Sequence, residues 1–246
     1  MRHAVLNRRH LLAALGAMAA TPAVGRAGPD GLFEVQWHVE LTGAERAALG
    51  AWLGRLQAAA AGWWPRITAA LASPGFTPTD RIILDLNSIT PKTIPAATRG
   101  DRIIVDAAYV LSMVGNPDRL GMVAHEMVHV AQAYPPFAPS FLTEGIADYL
   151  RYYVLLPQDP GRGYDGARSG PWDGYQVTGG LLDFIERAHP GTVQAVNADL
   201  RAGGDGIGPL HKAAGPLTHA WRDYLETHPA AGTSEALAAR VRALTP

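Results

Sequence analysis

Leu120-Gly121-Met122-Val123-Ala124-His125-Glu126-Met127-Val128-His129-Val130-Ala131-Gln132 sets two histidines and a glutamate in an otherwise apolar run. Leu120, Val123, Ala124, Met127, Val128 and Ala131 recur at three- and four-residue intervals, the spacing of a buried helix. Asn116 followed by Pro117 is a helix start and Pro135-Pro136 a stop, which predicts a helix from Pro117 to Tyr134. On such a helix His125 and His129 lie one turn apart on the same face, where both imidazoles reach one ion. Glu126 stands beside them, placed to contact a metal-bound water. Zinc lowers the pKa of its water toward about 7 while an adjacent carboxylate takes the proton. Left as plain core residues, the two imidazoles would each need hydrogen-bond partners, because an unsatisfied buried polar group costs about 1–3 kcal/mol.

The next predicted helix, from about Ser140 to Leu155, carries Glu144 and, one turn on, Asp148. A catalytic zinc needs three protein ligands and an open position, and the chain has no cysteine, so Glu144 is the candidate third ligand. Asp148 on the same face can accept a hydrogen bond from the outer nitrogen of a ligand histidine and fix its tautomer. Gly145 between them marks the close approach of a neighbouring helix, since Gly in a helix costs about 1 kcal/mol against Ala. Two histidines and a carboxylate also suit other divalent ions, so zinc is the first choice among several.

Upstream, Phe33 to Leu41 alternates apolar and polar residues as a half-buried strand does. Thr42 and Glu45 form a capping box, opening a helix to about Gly62 with a second piece after Pro65. Arg81 to Leu86 and Arg102 to Val105 read as short strands, joined by the polar segment Asn87 to Gly100 as a wide connection. Arg102 to Val105 is either an open edge able to pair an extended peptide or a paired inner strand. Pro157 to Trp172 is a long surface loop, and helices resume near Asp173, Thr192, Leu217 and Ser234. The expected fold is α+β: a small mixed N-terminal sheet packed on helices, then a helical C-terminal half, in one domain spanning 28–246.

The chain's 246 residues are 48% hydrophobic and 17% charged, enough to bury a substantial core. Asn7-Arg8-Arg9-His10, the apolar run Leu11 to Ala20 and the small-residue exit Gly25-Arg26-Ala27 read as a signal peptide over 1–27. The arginine pair is twin-arginine-like, and an ordinary secretory signal is the other route. The mature protein is therefore expected to be exported, periplasmic or extracellular. Removing residues 1–27 removes four arginines and no acid, leaving an acidic protein for which nucleic acid is no partner. No second stretch is long enough to span a bilayer, and the oligomeric state is left open.

With His125 to Gln132, Glu144-Gly145-Ile146-Ala147-Asp148-Tyr149 and Trp172-Asp173-Gly174-Tyr175-Gln176-Val177-Thr178 in this order, the sequence resembles the plant basic secretory proteins and their bacterial relatives, grouped as zinc metallopeptidases. The resemblance runs over roughly 33–227. It implies a zincin-like active-site helix and a gluzincin-type centre in which His125, His129 and Glu144 bind Zn2+ and Glu126 is the general base. The net acidic charge of the mature chain departs from the basic plant members. Tyr175, at a helix start after the long loop, is the candidate donor to a developing oxyanion, with His189, His211 and His219 as competitors; His38 reads as structural. The expected activity is an endopeptidase acting on a peptide or protein substrate. A secreted binding or defence protein with a structural metal, and a metal-dependent amidase acting on cell-wall peptides, share the same motifs.

Overall fold

The computed structural model describes residues 31–89, 94–113, 120–159, 164–166 and 168–228. The signal segment, the Asn116-Pro117 start and the helix near Ser234 lie outside them. Four strands, β1 (Phe33–Trp37), β2 (Ile82–Asn87), β3 (Ala96–Arg99) and β4 (Arg102–Asp106), form one sheet in the order β1-β2-β4-β3. β1, β2 and β4 are parallel and β3 is antiparallel to β4. Helices α1 (Gly43–Ala70), α2 (Ala107–Met113), α3 (Gly121–Gln132), α4 (Ser140–Tyr149), α5 (Tyr175–Ala188), α6 (Thr192–Arg201), α7 (Ile207–Ala214) and α8 (Leu217–Thr227) make up the rest, with a π-helical segment at Leu150–Leu155. The expected α+β architecture with a helical second half is what the chain adopts.

One face of the sheet, with Ile82, Leu84, Leu86, Ile103 and Val105 fully buried, joins Met127, Val128, Ala131 and Leu142 of the helices in a single core. On the other face Asp85 accepts from His38 at 2.7 Å and from Arg102 at 3.0 Å.

Several boundaries differ from the sequence reading, each for a physical reason. α1 starts at the expected capping box, Glu45 N donating to Thr42 Oγ1 at 3.3 Å and Thr42 N to Glu45 Oε2 at 2.8 Å. It then runs through Pro65 as one helix, because burial of Trp63, Trp64 and Ile67 outweighs the roughly 3 kcal/mol that an interior proline costs. β1 stops at Trp37, short of Leu41. The expected wide connection before Gly100 contains β3, closed onto β4 by the two-residue loop Gly100-Asp101, with Gly100 at φ 62, as a type II′ hairpin prefers. Consequently β4 is an inner strand, and the edge is β3. α3 ends at Gln132 rather than Tyr134: Ala133 adopts left-handed φ 45, and Pro135 disfavours helix at the residue before it. The helix after Ser140 changes to π geometry from Leu150, where Leu156 N bonds Arg151 O at 2.8 Å.

The α3 C-terminus is capped from a distance. Arg201 of α6 donates to Ala131 O at 2.7 Å and Gln132 O at 3.2 Å, and also to Leu71 O and Ser73 Oγ, stacking over Phe76.

The expected close approach at Gly145 is between α4 and α5. A Cβ on Gly145 would lie 2.5 Å from Thr178 Cγ2, and one on Gly179 would lie 3.0 Å from Tyr149 N. Thr178 is held where it is, since its hydroxyl accepts from Gly174 N and donates to Pro171 O. Gly145→Ala should therefore lower stability by about 1–3 kcal/mol despite the better helix propensity of alanine. Urea unfolding measures this; an unchanged or raised midpoint would show that the helices separate freely.

Candidate metal centre

α3 and α4 run side by side in opposite directions, so positions one turn apart on α3 meet positions one turn apart on α4. His129 faces Glu144, Nε2 to Oε2 3.4 Å. His125 faces Asp148, Nδ1 to Oδ1 2.7 Å. His125 Nε2 also lies 3.1 Å from Glu144 Oε2 and 3.0 Å from His129 Nε2. Three atoms with lone pairs thus close a triangle of 3.0–3.4 Å edges, the separation expected of neighbouring ligands about 2.0–2.2 Å from one tetrahedral ion.

The outer nitrogens decide the tautomers. His125 Nδ1 donates to Asp148, which is buried. His129 Nδ1 donates to Gln132 Oε1 at 2.7 Å, and Gln132 is anchored in turn by its Nε2 donating to Thr143 O at 2.8 Å. With both Nδ1 atoms protonated, both Nε2 atoms present bare lone pairs to each other and to a carboxylate, an arrangement that needs a cation between them. This donor set fits a divalent metal such as zinc, and His125, His129 and Glu144 form the cluster able to hold one among the described residues.

Electrostatics point the same way. Burial disfavours the charged form of His125, but hydrogen bonds to Asp148 and Glu144 and the charges of Asp148 and Glu126 outweigh it and lift its pKa to about 9. For Glu144, burial pushes the carboxyl up, and hydrogen bonds from the two histidines more than reverse this, to about 2. In the metal-free protein a proton sits where the field favours a cation.

Glu126 points from the same helix toward the edge strand. Its Oε2 accepts from Thr98 Oγ1 of β3 at 2.7 Å, and its backbone carbonyl accepts from the same hydroxyl at 3.1 Å. One carboxylate oxygen is thereby occupied, which fixes the direction of the other. Sequence reading missed Thr98 and gave Gln132 no role. The Gln132 contact was legible as a residue three positions after His129, whereas nothing in Ala96-Ala97-Thr98-Arg99 announces a strand.

Tyr175 stacks its ring on His125 with centroids 6.1 Å apart and 11° between planes. It holds left-handed φ 43, a conformation that costs a non-glycine residue about 1–3 kcal/mol, and it is 57% exposed. Burial, with the charges of Glu144, Asp148 and Glu126 adding to it, raises the phenol pKa, so the hydroxyl keeps its proton at neutral pH. His189, His211 and His219 line neither cavity beside the centre. Those two cavities, of about 610 and 790 Å³, flank the centre on opposite sides and share Thr98, His129 and Glu144.

Because the metal-free His125 has a pKa of about 9 and coordination needs its Nε2 bare, binding a divalent ion at pH 7 should release about one proton. Affinity should then rise about tenfold per pH unit and level off above about pH 9. Calorimetry in buffers of different ionisation enthalpy counts the proton; none released would remove His125 from the ligand set.

No curated protein and no solved structure matches the chain. Residues 69–238, more than half of it, match the model of the family described as BSP, peptidase of plants and bacteria. That span contains α3, α4 and the start of α5, hence every residue of the centre and Tyr175 beside it. The family is the one the three motifs resemble, and the chain belongs to this family of peptidases of plants and bacteria.

Proposed function

We propose that the protein is an exported zinc-dependent endopeptidase. The observation that carries this reading is the convergence of His125, His129 and Glu144 at 3.0–3.4 Å beside a glutamate, Glu126, that ligation does not use. A structural metal site has no need of such a carboxylate. Cavities on both sides of the centre favour cleavage within a chain rather than at its end.

A zinc ion at the centre supplies Lewis acidity to a carbonyl and lowers the pKa of water. Glu126, with one oxygen held by Thr98, takes the proton from the attacking water with the other and passes it to the leaving amine. Tyr175 donates its phenolic hydrogen to the carbonyl oxygen as negative charge develops there. Asp148 and Gln132 keep the imidazoles oriented. Among the described residues β3 pairs only with β4, so its outer edge is available to align an extended substrate by main-chain hydrogen bonds. The export reading rests on Arg8-Arg9 ahead of the apolar run and on the small residues before Gly28; among the described residues no helix is long and apolar enough to cross a membrane.

Digestion of a peptide library by the zinc-loaded protein, with metal content measured in parallel, tests the activity. Glu126→Gln should keep the metal and lose turnover, whereas His129→Ala should lose both. Tyr175→Phe should keep the metal and lose about 10²–10³ in kcat. Metal loss in Glu126→Gln would make it a ligand, and absence of any cleavage would return the centre to a structural role. Expressed with its own leader in a bacterium, the chain should be recovered outside the cytoplasm beginning near Gly28; a retained intact precursor would reject export.

A further inference from the structure

The pairing of α3 with α4 has a third rung. Stepping one turn back from His125 on α3 gives Gly121, and stepping three residues on from Asp148 gives Arg151. An added Cβ on Gly121 would lie 2.8 Å from Arg151 Nε and 3.0 Å from Nη2. Glycine at 121 is thus what admits the guanidinium against α3. Among the described residues, Arg151 is the only arginine or lysine lining the 790 Å³ cavity beside the metal centre. Its side chain is 17% exposed, its Nη2 donates to Asp159 Oδ2 at 3.1 Å, and its carbon lies 4.4 Å from the Tyr152 ring centroid. Nε is buried and has no hydrogen-bond partner. A guanidinium carries five N–H donors; one goes to Asp159, whose carboxylate pairs the charge, and Nε is packed against Gly121. The terminal nitrogens keep donors beyond that one bond, on a side chain that lines the cleft.

The edge strand gives a substrate in that cleft a direction. β3 begins beside this cavity, which Ile94, Pro95 and Ala96 line, and ends at Gly100 and Asp101 in the 610 Å³ cavity. Antiparallel pairing, the commoner sense between strands, would bring a substrate in past Gly100 and out past Ala96, putting its residues after the scissile bond on the Arg151 side. Seven residues separate Glu144 from Arg151, or about 10 Å at helical rise. An extended peptide covers that in about three residues.

We propose that Arg151 is a carboxylate-recognition site for the C-terminal part of the substrate, selecting a peptide with a carboxylate two or three residues after the cleaved bond. The inference rests on the peptidase reading above and adds its substrate class. The carboxylate is either an acidic side chain or the C-terminus of a short substrate. Both present the same planar anion to a guanidinium.

The test uses sets of peptides sharing one cleaved bond. One pair differs by Glu against Gln at the second and third positions after that bond, and another ends there as free acid or carboxamide. Wild-type zinc-loaded protein should cleave the carboxylate member of at least one pair with kcat/KM about 10–100-fold higher, and the pair that responds identifies the source. Arg151→Gln should remove the preference, so that the acid and amide members are cleaved at equal rates, and Arg151→Lys should retain part of it. Equal rates for acid and amide in the wild type, or a preference that survives in Arg151→Gln, would overturn the assignment and leave Arg151 as a prop for Asp159. The C-terminal fragments, acid against amide, are also titrated calorimetrically into the same protein. This reads recognition without turnover: tighter binding of the acid supports the site even if no peptide is cleaved, and equal affinity overturns it.

Discussion

Everything around the centre follows from one requirement: two imidazoles in the middle of an apolar helix must be satisfied at both nitrogens. Left unmet, each buried polar group costs about 1–3 kcal/mol, a large share of the few kcal/mol by which a domain is stable. The outer nitrogens are met by Asp148 and Gln132. The inner ones are met only jointly, by converging with Glu144 on one point. That solution demands a second helix, antiparallel to the first, with acids one turn apart. α4 supplies it, and the long apolar core beneath, from Met127 and Val128 to Leu142 and Ile146, holds the pair together.

Bringing α4 that close transmits the constraint outward. Glycines at 145 and 179 let α5 lie against the back of α4. Thr178, caught at the crossing, bonds Gly174 and Pro171 and so fixes where the long loop delivers the chain. The delivered residue is Tyr175, held in a strained left-handed backbone with its ring over His125. On the far side, Arg201 closes the C-terminus of α3 by donating to the carbonyls of Ala131 and Gln132. Backbone strain at Tyr175 is thus sustained by a rigid helix crossing rather than by a loop of its own.

The same pairing organises the cleft. The edge strand stands over Glu126 through Thr98, the centre lies between two cavities, and the third rung of the helix pair turns a guanidinium toward one of them. The candidate metal ligand Glu144, the histidine partner Asp148 and the cavity-lining Arg151 follow one another along a single face.

What the sequence by itself determined is what depends on near neighbours along the chain. The one-turn spacing of His125 and His129, that of Glu144 and Asp148, the capping box at Thr42 and the tight packing signalled by Gly145 are all set by helical periodicity, which is a local property. The tertiary structure alone decided the rest. Whether Pro65 breaks a helix depends on how much tryptophan is buried around it. Whether Arg102 to Val105 is an edge or an inner strand depends on a hairpin made from four residues of weak strand character. Thr98 meets Glu126 across 28 positions of sequence, and Gly121 meets Arg151 across 30, because the sheet's register and the helices' offset bring them together. Such contacts arise from the packing of whole elements, whose energy is summed over many residues and leaves no mark on any one of them.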